Sequence, residues 1–118
     1  MKYDFDPNLP IYLQVMDEIK KRIFNGYYCL GGKIDSVREL AIEYGVNPNT
    51  IQKALSELER ENLLYSKRSS GRFVCDNEEL IKKMKSEIIG KKIEMFINEM
   101  YELGCNRDDV ISLIKELD

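Results

Sequence analysis

Residues 10 to 25, PIYLQVMDEIKKRIFN, set Ile11, Val15, Ile19 and Ile23 four apart, with Tyr12 and Met16 alongside and Asp17, Lys20 and Lys21 turned away. That spacing predicts a helix with one apolar face. Pro10 suits its first position, where no N–H donor is required, and Gly26 suits its end. A short connection, YYCLGGKID, places its Gly pair in a turn. A Ser-x-x-Glu capping box at Ser36–Glu39 then opens a second helix over SVRELAIEYG, with Val37, Leu40, Ala41 and Tyr44 inside and Gly45 as its stop. Few residues separate that stop from a third helix capped by Asn47, with Pro48 in its first turn. Ile51, Ala54, Leu55 and Leu58 form its inner stripe; Asn49, Gln52, Lys53 and Ser56 form the outer one. Two short helices joined by a Gly-containing turn make a helix-turn-helix.

Beyond it, LLYSK and RFVC are strand-like runs around RSSG. They read as a hairpin with Gly71 in the turn and Lys67, Arg68 and Arg72 at its tip. Asn77, Glu78 and Glu79 open a fourth, long helix whose apolar positions are Ile81, Met84, Ile88, Ile89, Ile93, Phe96, Ile97, Met100 and Leu103. Gly104 ends it, and Asn106 caps a short fifth helix carrying Val110, Ile111, Ile114 and Leu117. A long and a short helix cannot enclose that much aliphatic surface between them. Burying each such side chain is worth about 1.5 to 3 kcal/mol, so the stripe asks for a partner, most simply a second copy of the chain.

The expected fold is therefore mainly α with a small β wing. A winged helix-turn-helix occupies residues 1–76, and a two-helix dimerisation region occupies residues 77–118.

Composition narrows the function. The chain has 118 residues, of which 43% are hydrophobic and 33% charged, and no apolar run approaches the roughly 18 residues needed to cross a bilayer. The opening MKYDFDPNLP has no basic segment followed by an apolar core, so no export signal and a cytoplasmic location are expected. There is no histidine, and Cys29, Cys75 and Cys105 lie far apart. Catalytic arrangements built on His and the zinc-finger ligand sets that use it are thereby excluded. No cofactor, no metal and no enzyme activity are expected. The net charge of −3 hides an asymmetry: residues 1 to 76 carry 11 basic and 11 acidic side chains, while residues 77 to 118 carry 7 and 10. A polyanion responds to a local basic face, not to that total.

Asn47 alone can satisfy the free N–H groups that start the third helix, which leaves Asn49, Gln52 and Lys53 available for an outside partner. Amide side chains there can pair with a base edge in the major groove, adenine being the usual partner, while Lys reaches guanine or phosphate. Thr50 suits a phosphate or a thymine methyl. Arg38, in the first turn of the second helix, can lie against the DNA backbone. Lys67, Arg68, Ser69, Ser70 and Arg72 can reach phosphate or the minor groove, although charge on a hairpin also serves to blunt a sheet edge.

The segment SVRELAIEYGVNPNTIQKALSELERENLLYSKRSSGRFV resembles the winged helix-turn-helix of the GntR family of bacterial transcription regulators. That family's pattern runs Ser-x-Arg-Glu-Leu-Ala, Gly-Val-x-x-x-Thr, Ala-x-x-x-Leu-Glu and a wing ending Gly-x-Phe-Val, and the match spans roughly residues 10 to 75. PIYLQV, VNPNT and the short helical tail are similar to the YtrA-type subgroup, which has a two-helix dimerisation region in place of a large ligand-binding domain. The resemblance implies a homodimer on an inverted-repeat operator in double-stranded DNA, usually as a repressor. It puts Arg38, Asn49, Thr50, Gln52 and Lys53 at DNA-facing places and Gly71 at the wing glycine. The chain departs from the pattern at Gly31-Gly32, at Ile34-Asp35 and at Asn62, where the family commonly has Pro-Gly, Leu-Pro and Gly. A small-molecule effector, at the dimer interface or the wing junction, is left open with no identity implied. The alternative function is a winged-helix protein-interaction module without DNA specificity, which a mobility shift separates from the first.

Overall fold

The first helix, α1 (Ile11–Phe24), buries Val15, Met16, Ile19 and Ile23, the face set by the four-residue spacing. Its start differs from expectation by one position. Pro10 is the residue before the helix, and the turn ahead of it is tied down by Gln14, whose side chain accepts from the Asp6 N–H at 2.8 Å and donates to the Asp6 carbonyl at 2.8 Å. Lys20, expected to face away, is a second correction: its Nζ lies 3.0 Å from a Glu61 carboxylate oxygen, because the end of the third helix packs beside it. The computed structural model of the chain describes residues 3–117. It divides into two compact units, Met1–Ile81 and Lys82–Asp118.

Within the first unit, α2 (Val37–Tyr44) begins at the full capping box, with Glu39 N–H donating to Ser36 Oγ and Ser36 N–H donating to the Glu39 carboxylate. It ends at Gly45, whose φ of 66° lies in the left-handed region that glycine enters without strain. Asn47 then caps α3 (Pro48–Arg60) by accepting from the Asn49 N–H at 2.7 Å. Leu40, Ala41 and Tyr44 meet Ile51, Ala54, Leu55 and Leu58 in one core with the α1 face. Asn62, in the family's glycine place, takes φ 65°, a conformation that Asn tolerates better than most residues.

The hairpin forms β1 (Leu64–Lys67) and β2 (Gly71–Val74), antiparallel, with Leu64 opposite Val74, Tyr65 opposite Phe73, Ser66 opposite Arg72 and Lys67 opposite Gly71. Its loop is therefore Arg68-Ser69-Ser70. The connection from α1 to α2 does more than turn. Gly31 N–H donates to the Val74 carbonyl, Val74 N–H to the Gly32 carbonyl and Ile34 N–H to the Arg72 carbonyl, so residues 31–34 run along the second edge of β2.

A half-buried cation, Arg22, organises the far side of this unit. The Arg22 guanidinium donates to the Glu43 carboxylate, to Tyr28 Oη at 3.2 Å and to Tyr3 Oη at 2.9 Å, and lies over the Tyr27 and Tyr44 rings. Its hydrogen bond to Glu43 raises the Arg22 pKa and holds Glu43 below the usual carboxylate range. Burial pushes the Tyr28 and Tyr44 hydroxyls up.

The helix α4 (Glu78–Glu102) starts at Asn77, whose side chain accepts from the Leu80 N–H, and Ile81 is buried in the first unit. The second unit holds the rest of α4, Gly104 at φ 87° and α5 (Arg107–Glu116), which opens on a capping box between Asn106 and Asp109. Val110 is its buried side chain, while Ile93, Phe96 and Leu103 are 56%, 43% and 77% exposed.

Candidate nucleic-acid interface

Helix periodicity sorts α3 into two faces. With Ile51, Ala54, Leu55 and Leu58 buried, Asn49, Gln52, Lys53 and Ser56 are left exposed on the other side. The Asn47 cap and the fixed φ of Pro48 set the direction of the first turn, and with it where Asn49 and Thr50 stand. Lys53 Nζ rests over the Tyr12 ring, 4.1 Å from its centroid. Such a contact is worth only about 0.5 to 1 kcal/mol at an exposed site, so a phosphate or base edge can draw the ammonium away.

Thr50 is half-buried and lines a cavity of about 440 Å³ together with Tyr3, Phe5, Ile11, Tyr44 and Asn47. Arg38 stands exposed in the first turn of α2, next to Glu39, whose carboxylate is held below its ordinary range by hydrogen bonds from the Ser36 backbone N–H and hydroxyl. Asp35, close to the start of that helix, accepts from Tyr28 Oη at 2.8 Å and lies 3.8 Å from the Arg22 guanidinium. Its charge is thus partly matched from within the chain.

At the wing tip, Arg68, Ser69 and Ser70 are exposed, with Ser69 at φ 63° and Ser70 N–H closing the turn on the Lys67 carbonyl at 3.0 Å. Lys67 Nζ lies over the Phe73 ring at 4.6 Å. Gly71 has φ 102°, and a Cβ there would come within 3.1 Å of Lys33 Cε. Lys33 therefore lies against the wing, a cation near the tip that sequence reading did not include; no short-range pattern marks it, because it arrives through the pairing of residues 31–34 with β2.

Arg72 is not at the tip, and this corrects the expectation. Along β2 it alternates onto the same side as buried Val74, and its Nε donates to the Glu59 carboxylate of α3, with Ser66 Oγ 3.2 Å from the same oxygen. Its Nη1 lies 3.5 Å from Gln52 Oε1. The two glutamates in the second half of α3 and the one just past its end are all matched: Glu57 by Arg60, Glu59 by Arg72 and Glu61 by Lys20. What remains outward is amide, hydroxyl and positive charge, the combination that suits a phosphate backbone and base edges. Among the described residues no group of His, Cys, Asp or Glu could hold a metal ion, and no helix is long and apolar enough to cross a membrane.

Comparison with known proteins agrees with this geometry. The family described as bacterial regulatory proteins, gntR family, matches residues 11–74. Two Bacillus subtilis relatives align over nearly the whole chain. The uncharacterized HTH-type transcriptional regulator YhcF is 36% identical over 98% of this chain and 95% of its own length. The HTH-type transcriptional repressor YtrA is 32% identical over 92% and 84%. Among solved structures, a GntR family transcriptional regulator from Listeria monocytogenes superposes with a TM-score of 0.89 at 38% identity, covering 97% of this chain and all of that one. The DNA-binding domain of AraR, in complex with operator ORX1, superposes with a TM-score of 0.59 at 35% identity, covering 64% of this chain and 95% of that one.

Proposed function

Because the chain belongs to the gntR family of bacterial regulatory proteins, with a YtrA-like build, and is a DNA-binding transcription regulator, we propose that it is a cytoplasmic repressor acting as a homodimer on a palindromic operator. The observation that carries this reading is the outer stripe of α3. Asn49, Gln52 and Lys53 are exposed at the N-terminal half of the helix, with the α3 glutamates matched from within. In the proposed complex these three enter the major groove, Thr50 and Arg38 meet the backbone, and Lys67, Arg68, Ser69 and Ser70 follow the adjacent groove, with Lys33 beside them. Gly71 keeps that loop compact.

The exposed apolar side chains of the second unit support the homodimer. Ile89, Ile93, Phe96 and Leu103, with half-buried Met84, Ile88, Ile97 and Met100, supply the proposed interface; Ile81 is left out because its own chain already buries it. Twofold pairing sets two α3 helices about one DNA turn apart, roughly 34 to 36 Å.

A mobility shift with purified protein tests the reading. A palindrome from the protein's own upstream region should be retained in preference to random duplex, with a log–log salt slope of about −7 as Lys33, Arg38, Lys67 and Arg68 of each of the two protomers displace counterions. Equal retention of palindrome and random duplex would remove the sequence-specific repressor. Failure to shift any duplex would leave a winged-helix protein-interaction module as the better reading. If a small molecule controls the protein, the cavity beside Thr50 is its shortest route to α3. Its binding should then shift the NMR signals of Tyr3, Tyr44 and Thr50 together, and an effector that leaves them unmoved acts elsewhere.

A further inference from the structure

An amide side chain that reads adenine must offer both of its ends, the oxygen to N6–H and the NH2 group to N7. Gln52 has its oxygen end turned toward a fixed donor. The guanidinium of Arg72 carries donors only, so the Gln52 atom that faces it at 3.5 Å is the amide oxygen, and this chemistry settles the orientation of the amide. The Gln52 NH2 group is correspondingly turned outward.

Arg72 is itself held. Its Nε donates to Glu59, two helical turns beyond Gln52 on α3, and Ser66, its cross-strand neighbour, shares the same carboxylate oxygen. The Arg72 and Glu59 side chains are only 16% and 30% exposed, so water screens this pair less than it does the surface pair of Glu57 with Arg60. The charge of Arg72 is already matched, which makes it a poor phosphate ligand and a good support.

We infer that Glu59 and Arg72 are positioning residues that fix the base preference of Gln52: by turning its amide oxygen toward the Arg72 guanidinium they direct its NH2 group to the base edge, so Gln52 selects guanine, with acceptors at N7 and O6, over adenine. This rests on the reading of α3 as the helix in the major groove. It replaces both the ordinary adenine pairing for Gln52 and the phosphate contact for Arg72.

Competition between operator duplexes that differ at one base pair tests it in the full-length protein. The wild type should prefer guanine to adenine about tenfold at one base pair in each half-site, and Gln52→Ala should abolish that preference. Glu59→Gln and Arg72→Lys should bring the ratio at that same base pair to within about twofold of unity, because a lysine ammonium cannot hold a carboxylate and an amide oxygen in a fixed planar fork. Arg72→Lys keeps the charge, so its affinity for random duplex and its salt slope should stay as in the wild type. Combining Glu59→Gln with Gln52→Ala should cost no more than Gln52→Ala alone. Thermal melting identifies a variant that has lost its fold, and if Glu59→Gln is such a variant the charge-conserving Arg72→Lys decides. A wild type that prefers adenine there, or an unchanged guanine-to-adenine ratio in Arg72→Lys, overturns the inference while leaving α3 as the reading helix. A wild type that binds no duplex on the same gel removes that helix's role first.

Discussion

The two units dispose of their aliphatic side chains in opposite ways. In the first, α1, α2, α3 and the wing close around a core that leaves Val15, Ile19, Leu40, Ile51, Ala54, Leu58, Leu63 and Val74 with no measurable exposure. In the second, Val110 is the buried apolar side chain among the described residues, while Ile93, Phe96, Ile114 and Leu117 face outward. Three helices and a ribbon can surround a core; two helices make only a slab. Unit one encloses its apolar side chains and presents polar ones, whereas unit two leaves apolar side chains at its surface.

That contrast can be broken most forcefully in the core. Leu55→Ala should destabilise the first unit by about 2 to 5 kcal/mol, read as a lowered urea midpoint, because the cavity cannot collapse among α1 and α3 side chains. A loss below about 0.5 kcal/mol would mean that this core is looser than its burial implies. Next comes the outward face of the second unit. Phe96→Asp should raise the dimer dissociation constant about 100-fold, since roughly 3 kcal/mol of apolar burial is lost, and light scattering should then find protomers at micromolar concentration. Helix content by circular dichroism should stay nearly constant. A variant that remains dimeric would place the interface elsewhere.

Within the first unit, the outer stripe and the wing tip should separate specificity from attraction. Gln52→Ala should cost about 1 to 3 kcal/mol on the operator and little on random duplex, while Lys67→Ala should weaken both alike and flatten the salt slope by about 1 per protomer. Matching losses for both variants on both duplexes would erase the division of labour.

The smallest expected effect concerns pH. Glu43 is depressed by its hydrogen bond with Arg22, so its contribution is present above the ordinary carboxylate pKa and fades as pH falls through the lower folded value. Acid titration of stability should therefore steepen below about pH 4.5, and Glu43→Gln should remove that part of the slope. With the Glu43 side chain 39% exposed, solvent screening limits the effect to about 1 kcal/mol or less.

Local signals made most of this fold legible. The Ser36 and Asn106 boxes, the Asn47 cap with Pro48, the Gly45 stop and the period of the α1 and α3 faces all act over four residues or fewer, and each is present in the structure. The candidate DNA-facing set was legible to the extent that exposure follows from the buried stripe. What escaped depends on long-range arrival. Arg22 meets Glu43 across 21 residues, Lys20 meets Glu61 across 41, and Gly31 and Gly32 reach Val74 with no strand-like run to announce them. Arg72 is different, since its position was available in the pattern. Two residues before buried Val74 in a strand is the same side of the ribbon, and that parity argues against a place at the tip.

The pairing of residues 31–34 with β2 makes that strand the middle of the ribbon instead of its border. A lone two-stranded hairpin is marginal in water. Here the Val74 amide and carbonyl are both spoken for by a segment that also joins the first two helices, so the wing opens only when that joining segment is peeled off as well. Slow amide exchange at Val74, against faster exchange at Arg68 and Ser69, is the expected signature of such an anchored blade.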